Sequence, residues 1–318
     1  MSQSKLTLTE VFEEYLRKNQ QLKWTTRDSA ARAWNKLVKA AGDMDVSEFG
    51  HNEAEDFQEF LFNEDLAPGA VRSNLKMVRP VMNWAKRRGY RVGDPFEGLR
   101  LPRVARREVR VYSDAELCVM LAGATQLWTA RIITAASAGL RKGEVLNLTV
   151  DDVDFDKGYI KVQAKQETVH TWRWSPKSYE CRQVPLSEQL NNLLVKIMVE
   201  LPDGQPYLML SDRRYWGIQQ LRAAGNMPER VRNTPDENFR PFKRILDRAG
   251  IGNGCFHDLR KTAITKWLLA GLAPQEVRKL AGHADIQTTM TFYAACRNDI
   301  VYRARLKIGA TGLEPATS

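Results

Sequence analysis

A basic segment with little helical periodicity interrupts the sequence near residue 100. Residues 99–113 read LRLPRVARREVRVYS and follow Pro95, where the helical pattern of the preceding part ends. Pro102 favours extended backbone around it, and arginines stand at positions 103, 106, 107 and 110. A chain of 318 residues is long enough to bury more than one core. We therefore predict two domains joined by an extended basic linker.

The predicted domain boundaries follow from that interruption. We place a helical N-terminal domain at 1–100, the linker at 101–112, a larger domain at 113–308 and a disordered tail at 309–318. The tail, GATGLEPATS, is small and polar, and it offers little apolar surface to bury. We expect no further domain before the first helices.

Four amphipathic helices account for the N-terminal domain. Periodicity and breakers predict them at 6–19, 25–41, 53–63 and 70–88. In the last helix, apolar residues recur at helical spacing and predict a stripe that faces the core: Val71, Leu75, Val78 and Met82.

Charge is unevenly distributed within the first domain and the linker. Residues 70–110 hold twelve Lys or Arg against three acids, whereas 41–69 hold nine acids and no Lys or Arg. The whole chain carries a net charge of +10, which favours a polyanionic partner. The alternative interpretation is that the basic and the acidic segments form ordinary solvent-exposed surfaces without a binding role. The candidate phosphate-contacting side chains are Arg72, Lys76, Arg79, Arg103, Arg106 and Arg107.

The second domain reads as mainly helical with a small sheet. Ser113 and Glu116 have capping-box spacing before an apolar helix. Short strands are predicted at 158–163, 171–174 and 182–186, and they would form a small antiparallel sheet. Trp172 and Trp174 fall on one face of the second strand, where packing is the expected role and base stacking the alternative. The fold class is therefore mainly α with a small antiparallel β-sheet, an α+β arrangement.

One stretch of 37 residues concentrates reactive side chains. HDLRKTAITKWLLAGLAPQEVRKLAGHADIQTTMTFY contains His257, Arg260, His283 and Tyr293, and GLRKGEV upstream supplies Arg141. Planar guanidinium groups hold the oxygens of a phosphodiester through paired charge-assisted hydrogen bonds. A phenol ionises near pH 10 in water, so an imidazole or a positive field must assist it as a nucleophile. The combination predicts phosphodiester chemistry with Tyr293 as nucleophile.

The spacing of these residues supports the grouping. His257 and Arg260 lie three apart and share a face if 256–269 is helical, and Arg141 and Glu144 have the same spacing. Asp285 precedes 286–293 in the manner of a helix N-cap, which predicts a helix start just after His283.

Each residue taken alone also has an ordinary interpretation. The chain has nine tyrosines, and a single tyrosine on a helix is usually a packing residue. Arg141 with Glu144 would commonly be a surface ion pair, and Asp258 with Arg260 local electrostatics at a helix end. The joint occurrence at these spacings, rather than any one residue, carries the prediction.

The motifs GLRKGEV, HDLRKT, LAGHADIQTTMTFY and RQVPL resemble those of the tyrosine recombinase (phage integrase) family, over nearly the whole chain. The resemblance implies an N-terminal helical core-binding (SAM-like) domain and a C-terminal catalytic domain. In that family two arginines, two histidines, a lysine and a tyrosine form the site. The corresponding residues here are Arg141, Lys177, His257, Arg260, His283 and Tyr293.

The lysine is the least certain correspondence. The family lysine lies in a β-hairpin shortly before an Arg-x-Val-Pro-Leu strand, and Lys177 is five residues before Arg182. The hairpin is long, with HTWRWSP before Lys177, so Lys165 remains an alternative.

The resemblance implies site-specific DNA recombination through a 3′-phosphotyrosine and a four-way junction, for integration or excision of a mobile element. Dimer resolution of chromosomes or plasmids, type IB topoisomerase-like nicking and closing, and DNA binding without catalysis are the alternatives. The implied partners are double-stranded DNA, a tetramer joined through the C-terminal segment on paired sites, and an accessory DNA-bending or directionality factor. No metal or cofactor is implied.

The remaining sequence signals concern the compartment. Cys118, Cys181, Cys255 and Cys296 form no CxxC pair, so neither a zinc site nor a disulfide framework is predicted. The N-terminus lacks the apolar core of a signal peptide, and no apolar run reaches membrane-spanning length. We expect a bacterial or archaeal cytoplasmic protein that acts on the chromosome.

Overall fold

The computed structural model describes residues 5–104, 109–177, 181–236 and 239–295. It divides into two compact units, Met1–Arg107 and Glu108–Ser318. Of the residues named above, Arg106, Arg107 and Cys296 lie outside the described ranges, as does the C-terminal segment through which the tetramer was predicted to form.

Four helices form the first unit, as the sequence predicted to within a few residues. They are α1 (Leu8–Lys18), α2 (Trp24–Ala41), α3 (His51–Asn63) and α4 (Pro68–Arg87). The predicted stripe of α4 is confirmed, since Val71, Leu75, Val78 and Met82 are all buried. Trp34 lies in the same core, stacks on Phe12, and donates its indole N–H to the carbonyl of Leu8.

The basic residues of the first unit differ in their environments. Lys76 and Arg103 are exposed, while Arg72 is partly buried. Arg79 donates to Asp94 at 3.0 and 2.8 Å and so already has a carboxylate partner. Arg91, counted among the twelve basic residues, is buried against the carbonyls of Phe49 and Gly93 and serves packing.

The described part of the second unit contains ten α-helices, a short 3-10 helix at Val150–Asp152 and a short sheet. The helices are α5 (Asp114–Ala122), α6 (Gln126–Ser137), α7 (Lys142–Leu146), α8 (Glu188–Glu200), α9 (Asp212–Ala223), α10 (Glu229–Asn233), α11 (Arg240–Arg248), α12 (Phe256–Leu269), α13 (Pro274–Ala281) and α14 (Ile286–Ala295). The strands are β1 (Val153–Asp154), β2 (Tyr159–Val162) and β3 (Arg182–Pro185), antiparallel in the order β1-β2-β3. The mainly α, α+β fold class is confirmed.

The predicted strand at 171–174 is wrong, and β1 was not predicted. Only an isolated bridge joins Lys165 to Trp174. The backbone N–H of Trp172 donates to the Tyr207 hydroxyl at 3.2 Å, and its indole stacks on Tyr207 at 3.9 Å. Tertiary packing of large rings therefore replaces ladder pairing here, which confirms packing as the role of the tryptophans. Strand β1 pairs with β2 through a turn at Gly158, whose φ is +66°.

Helix α12 lies at the centre of the second unit. It packs along α6 on one side, and α13 and α14 pack against it on another. The helix assumed at 256–269 is observed, and Asp258 caps its start by accepting from the backbone N–H of Cys255 at 2.7 Å. The capping box of Ser113 and Glu116 at the start of α5 is likewise confirmed. This packing brings the ends of α7, α12 and α13 together.

Candidate active site

A buried carboxylate organises the site. Arg141 stands at the N-cap of α7, and both its backbone N–H and its Nη1 donate to Glu144, at 2.8 and 2.9 Å. On the other side, Arg182 donates to both oxygens of Glu144 at 3.0 and 2.6 Å. Only 2% of the Glu144 side chain is exposed, whereas 23% of the Arg141 side chain is. The surface ion pair considered from the sequence is therefore wrong, because the carboxylate is a buried hub.

Arg260 lies beside this hub but is held by backbone carbonyls. Its Nη1 donates to the carbonyl of Gly139 at 2.5 Å, and its Nη2 donates to that of Ala281 at 2.6 Å. The nearest contact with Glu144 is 4.0 Å, from Nη1 to Oε2. Arg260 and Arg141 thus come together from α12 and from the start of α7, as the sequence predicted.

Two glycines with positive φ supply carbonyls to these arginines. Gly139, at φ +61°, accepts from Arg260, and a Cβ there would lie 2.7 Å from the Trp267 ring. Gly282, at φ +63°, caps α13 and accepts from Nη2 of Arg141 at 2.5 Å. Only glycine adopts this backbone region without strain, so both arginine positions depend on local backbone shape.

His283 follows Gly282 directly and is buried. Its Nδ1 is 2.9 Å from the hydroxyl of Thr289 on α14, and its ring stacks on Phe292. Burial, together with the charges of Arg260 and Arg141, lowers the pKa of His283 to about 4. The imidazole is therefore neutral at neutral pH.

His257 stands in the first turn of α12, near the same charges. Its side chain is exposed on one side. Partial desolvation of the imidazole by the surrounding protein, together with the positive charges of Arg260 and Lys261, lowers the pKa of His257. The residue borders a cavity of about 570 Å³ whose walls are mostly apolar, with Lys142, Phe239, Phe242 and Phe256 among them. A neutral imidazole at an accessible position can accept a proton.

The charges of the site leave an excess of positive charge. Burial raises the pKa of Glu144, but the hydrogen bonds and charge of Arg182 and the charge of Arg141 outweigh it and lower the value to about 2. Burial and the charge of Arg141 lower the pKa of Arg260 to about 9, which still leaves it charged at neutral pH. Three arginines therefore face one carboxylate, and the site has two positive charges in excess, which suits an anionic group such as a phosphodiester.

Tyr293 lies on α14, which begins at Ile286 as predicted. Asp285 accepts from the backbone N–H of Gln287 at 2.9 Å, so the predicted cap is confirmed. The tyrosine is partly buried and packs, with Phe292, against a small apolar cluster of α12 and α13 that includes Ile264 and Val277. The same helix carries Thr289, whose hydroxyl contacts His283. The position of the candidate nucleophile and that of the histidine therefore both depend on α14.

The two candidate lysines have contrasting surroundings. Lys165 is nearly buried and pairs with Asp152, whose carboxylate also accepts from Thr149. Lys177 is exposed in a turn after Trp174. A lysine that protonates a bound substrate must be accessible, as Lys177 is. The assignment of Lys177 stays a prediction.

Other site types are not seen in the part of the chain that the structure describes. No group of three or more His, Cys, Asp or Glu there could hold a metal ion. Cys118, Cys181 and Cys255 are free thiols. Among the described helices, none is long and apolar enough to cross a membrane.

The model of the phage integrase family matches residues 121–298, more than half of the chain. The chain belongs to this family. A relative named tyrosine recombinase XerC-like, from Caldanaerobacter subterraneus subsp. tengcongensis, is 25% identical over 254 residues, which are 73% of this chain and 64% of the relative. The match therefore spans less than two thirds of that relative.

Solved structures of integrases share the fold of this family member. The Tn1549 transposon integrase in complex with a circular intermediate DNA superimposes with a TM-score of 0.72 at 17% identity, over 93% of this chain and 99% of the other. A lambda integrase tetramer bound to a Holliday junction gives 0.67 at 14% identity, over 92% and 78%. These likenesses concern the fold, and they cover both units of the chain.

The sequence did not assign a role to three residues that build this integrase-family site. Glu144 was noted only for its spacing from Arg141, and Arg182 only as a landmark of the RQVPL motif. Thr289 was not singled out at all. An acidic residue at the third position of a helix that starts with a site arginine is a signal that could have found Glu144. Nothing local indicated Arg182, because its partners are 38 and 98 positions away.

Proposed function

We propose that this chain is a site-specific DNA recombinase that cuts and rejoins DNA through a 3′-phosphotyrosine. The observation that carries the proposal is the cluster of three arginines around one buried carboxylate, with two neutral histidines at its edge. Such a cluster is built to hold an anion that gains charge in its transition state. Membership of the phage integrase family supports the same reading.

In the proposed cleavage step, the Tyr293 oxygen attacks the scissile phosphorus while the bond from phosphorus to the 5′-oxygen breaks. Arg141 and Arg260 hold the two non-bridging oxygens. His257, neutral at neutral pH, accepts the phenolic proton, and Lys177 gives a proton to the departing 5′-oxygen. The covalent phosphotyrosine keeps the phosphoryl group activated, so a 5′-hydroxyl from a partner strand can reverse the step.

His283 would serve as a neutral hydrogen-bond donor to the phosphate. If the Thr289 hydroxyl donates to Nδ1, the proton of the neutral ring resides on Nε2. The low pKa of His283 keeps this form populated at neutral pH. A donor without charge adds stabilisation to the phosphate while leaving the arginines as the charged contacts.

The biological role has two candidates. Structural likeness to the Tn1549 transposon integrase favours integration or excision of a mobile element. The XerC-like relative favours instead a recombinase that resolves chromosome or plasmid dimers. The lambda integrase tetramer on a Holliday junction supports a tetramer on paired sites. An accessory bending or directionality factor and a cytoplasmic location belong to the same proposal and were inferred from the sequence.

DNA contacts outside the catalytic site form part of the same proposal. Lys76 and Arg103 are exposed and suited to phosphate contacts, and the partly buried Arg72 precedes Lys76 on α4. Arg79 would have to leave Asp94 to contribute fully. The predicted domain limits, with a linker at 101–112, would place this basic segment between the two units.

The test is covalent capture. Wild type and Tyr293→Phe are mixed in EDTA with nicked duplexes drawn from the genomic neighbourhood of the gene, and DNA-linked protein is sought after denaturation. An adduct from wild type alone, on a restricted set of sequences, supports the proposal. Adducts on all sequences would favour a topoisomerase, and tight binding without an adduct would favour a silent DNA-binding protein.

A further inference from the structure

Arg182 joins three segments of the catalytic unit through one side chain. It is the first residue of β3, and 6% of its side chain is exposed. Nη1 and Nη2 donate to Glu144 in the first turn of α7, and Nε donates to the carbonyl of Leu280 in α13 at 2.8 Å. All three guanidinium nitrogens are thus engaged in fixing protein groups.

Both ends of this bridge lead directly to site residues. Glu144 holds Arg141. Leu280 is followed by Ala281, whose carbonyl accepts from Arg260, and by Gly282, whose carbonyl accepts from Arg141. A Cβ on Gly282 would lie 3.0 Å from Nη1 of Arg182, so the turn that leads to His283 rests on this guanidinium. A displacement of Arg182 would therefore reach two arginines and a histidine.

Arg182 also limits how strongly Glu144 competes with a substrate phosphate for the N–H groups of Arg141 and Arg260. A carboxylate offers about four acceptor positions, and an arginine bound to it has fewer N–H groups for a substrate. Arg182 occupies both oxygens of Glu144, while Arg260 remains 4.0 Å away. Without Arg182, the buried Glu144 would draw Arg141 and Arg260 closer to itself.

We infer that Arg182 is a positioning residue of the recombination reaction, which sets the placement of Arg141, Arg260 and His283 without touching the DNA. The inference rests on the proposed function. It also connects the strand that follows the Lys177 turn with the phosphate-binding groups, because Arg182 begins that strand.

The test compares Arg182→Gln and Arg182→Lys with a matched control, Arg131→Gln. Arg131 is also buried, and it donates to the carbonyl of Met209 and to Asp236, neither of which holds a group of the candidate active site. Single-turnover adduct formation is measured at saturating concentrations of a nicked duplex that wild type captures, together with the Kd for that duplex and the thermal melting temperature.

Misplacement of the arginines should lower the adduct rate of Arg182→Gln on the order of 10²-fold with little change in Kd. Arg182→Lys keeps the charge but cannot bridge three acceptors in the fork geometry, so we expect a loss of about tenfold. Arg131→Gln should lower the melting temperature and leave the rate of the folded protein unchanged. An equal rate loss in the control, or a wild-type rate in Arg182→Gln, would overturn the inference.

A second readout needs no DNA. The imidazole of His283 is titrated by NMR in the wild type and the variants, and the four histidines make assignment simple. Removal of Arg182 takes away a positive charge and loosens the turn, so the pKa of His283 should rise in Arg182→Gln and stay in place in Arg131→Gln. If wild type forms no adduct, the proposed function fails, and the titration still decides the position of Arg182. An unchanged His283 titration in folded Arg182→Gln would overturn the inference.

Discussion

The candidate active site consists of two halves with different construction. The half built around the proposed phosphate contacts, here called the phosphate-binding half, comprises Arg141, Glu144, Arg182, Arg260 and His283. Its groups are tied to each other or to backbone carbonyls, mostly out of solvent. The half with the proposed nucleophile and acid, here called the group-transfer half, comprises Tyr293, partly buried on α14, and Lys177, exposed in a turn. The groups of the phosphate-binding half are therefore brought into position when the chain folds. Changes there should affect stability and rate together, whereas changes in the second should affect rate alone.

Removal of the central carboxylate is the most severe change to the phosphate-binding half. Glu144→Gln leaves buried arginines without their counter-charge, and we expect unfolding to become easier by about 3–5 kcal/mol at pH 7. Urea unfolding measures this, with Glu188→Gln, an exposed glutamate on α8, as control. Equal free energies of unfolding for Glu144→Gln and wild type would contradict the claim that the contacts of the phosphate-binding half stabilise the fold.

The pH dependence of the same pair sharpens the prediction. The pKa of Glu144 is about 2 in the folded chain against an ordinary 4.5. A lowered pKa stabilises the fold above pH 4.5, and this contribution is lost as the pH falls from 4.5 towards 2. By linkage it amounts to about 3 kcal/mol, so the advantage of wild type over Glu144→Gln should shrink across that window. A constant difference would assign the stability to another group.

Lys177→Ala is the corresponding change in the group-transfer half. Loss of a general acid should lower the cleavage rate about 10²-fold, while the unfolding free energy changes by no more than about 0.5 kcal/mol. A duplex with sulfur in place of the departing 5′-oxygen should restore the rate, because a thiolate leaves without protonation. Lys165→Ala breaks the pair with Asp152 and should destabilise the fold. Rescue of Lys165→Ala by the sulfur duplex would move the acid to Lys165.

Alanine substitutions at two glycines distinguish the effect of backbone strain from the effect of a clash with Arg182. Gly282 and Gly225 have φ of +63° and +67°, but only a Cβ on Gly282 would meet another group, the guanidinium of Arg182. Both alanine variants incur backbone strain of about 1–2 kcal/mol. Gly282→Ala should be further destabilised by about 1 kcal/mol and should slow adduct formation, whereas Gly225→Ala should not. Matching rates would remove the Gly282 turn from the phosphate-binding half.

Thr289→Val carries the smallest expected effect. It keeps the shape but removes the hydroxyl that lies 2.9 Å from Nδ1 of His283. The lost hydrogen bond is worth about 1 kcal/mol, so the rate should fall about fivefold to tenfold. Thr289→Ser, which keeps a hydroxyl, serves as control. Nitrogen shifts of the imidazole report whether the tautomer becomes mixed, and an unmixed tautomer in Thr289→Val would contradict this role.

Local signals allowed much of the fold to be predicted. The span 256–269 that was assumed for the spacing of His257 and Arg260 coincides with helix α12, and the start of α14 was predicted because Asp285 caps it. The supposed strand at 171–174 failed because Trp172 bonds to Tyr207, a partner 35 positions away. The candidate reactive residues were chosen from motifs, whereas the contacts that hold them in place were not predicted. The contacts of Glu144 with Arg182, and of Arg182 with α13, arise only on folding.

The chemical identity of the DNA-linked residue tests the central claim most directly. Wild type is trapped on a nicked duplex in EDTA, digested with nuclease and trypsin, and the nucleotide-bearing peptide is identified by mass spectrometry. Cleavage after Lys279 and Arg297 yields the peptide 280–297, which contains Tyr293 as its single tyrosine. The account predicts the nucleotide on Tyr293 of this peptide. A nucleotide on any other of the nine tyrosines, or on another residue type, would contradict it.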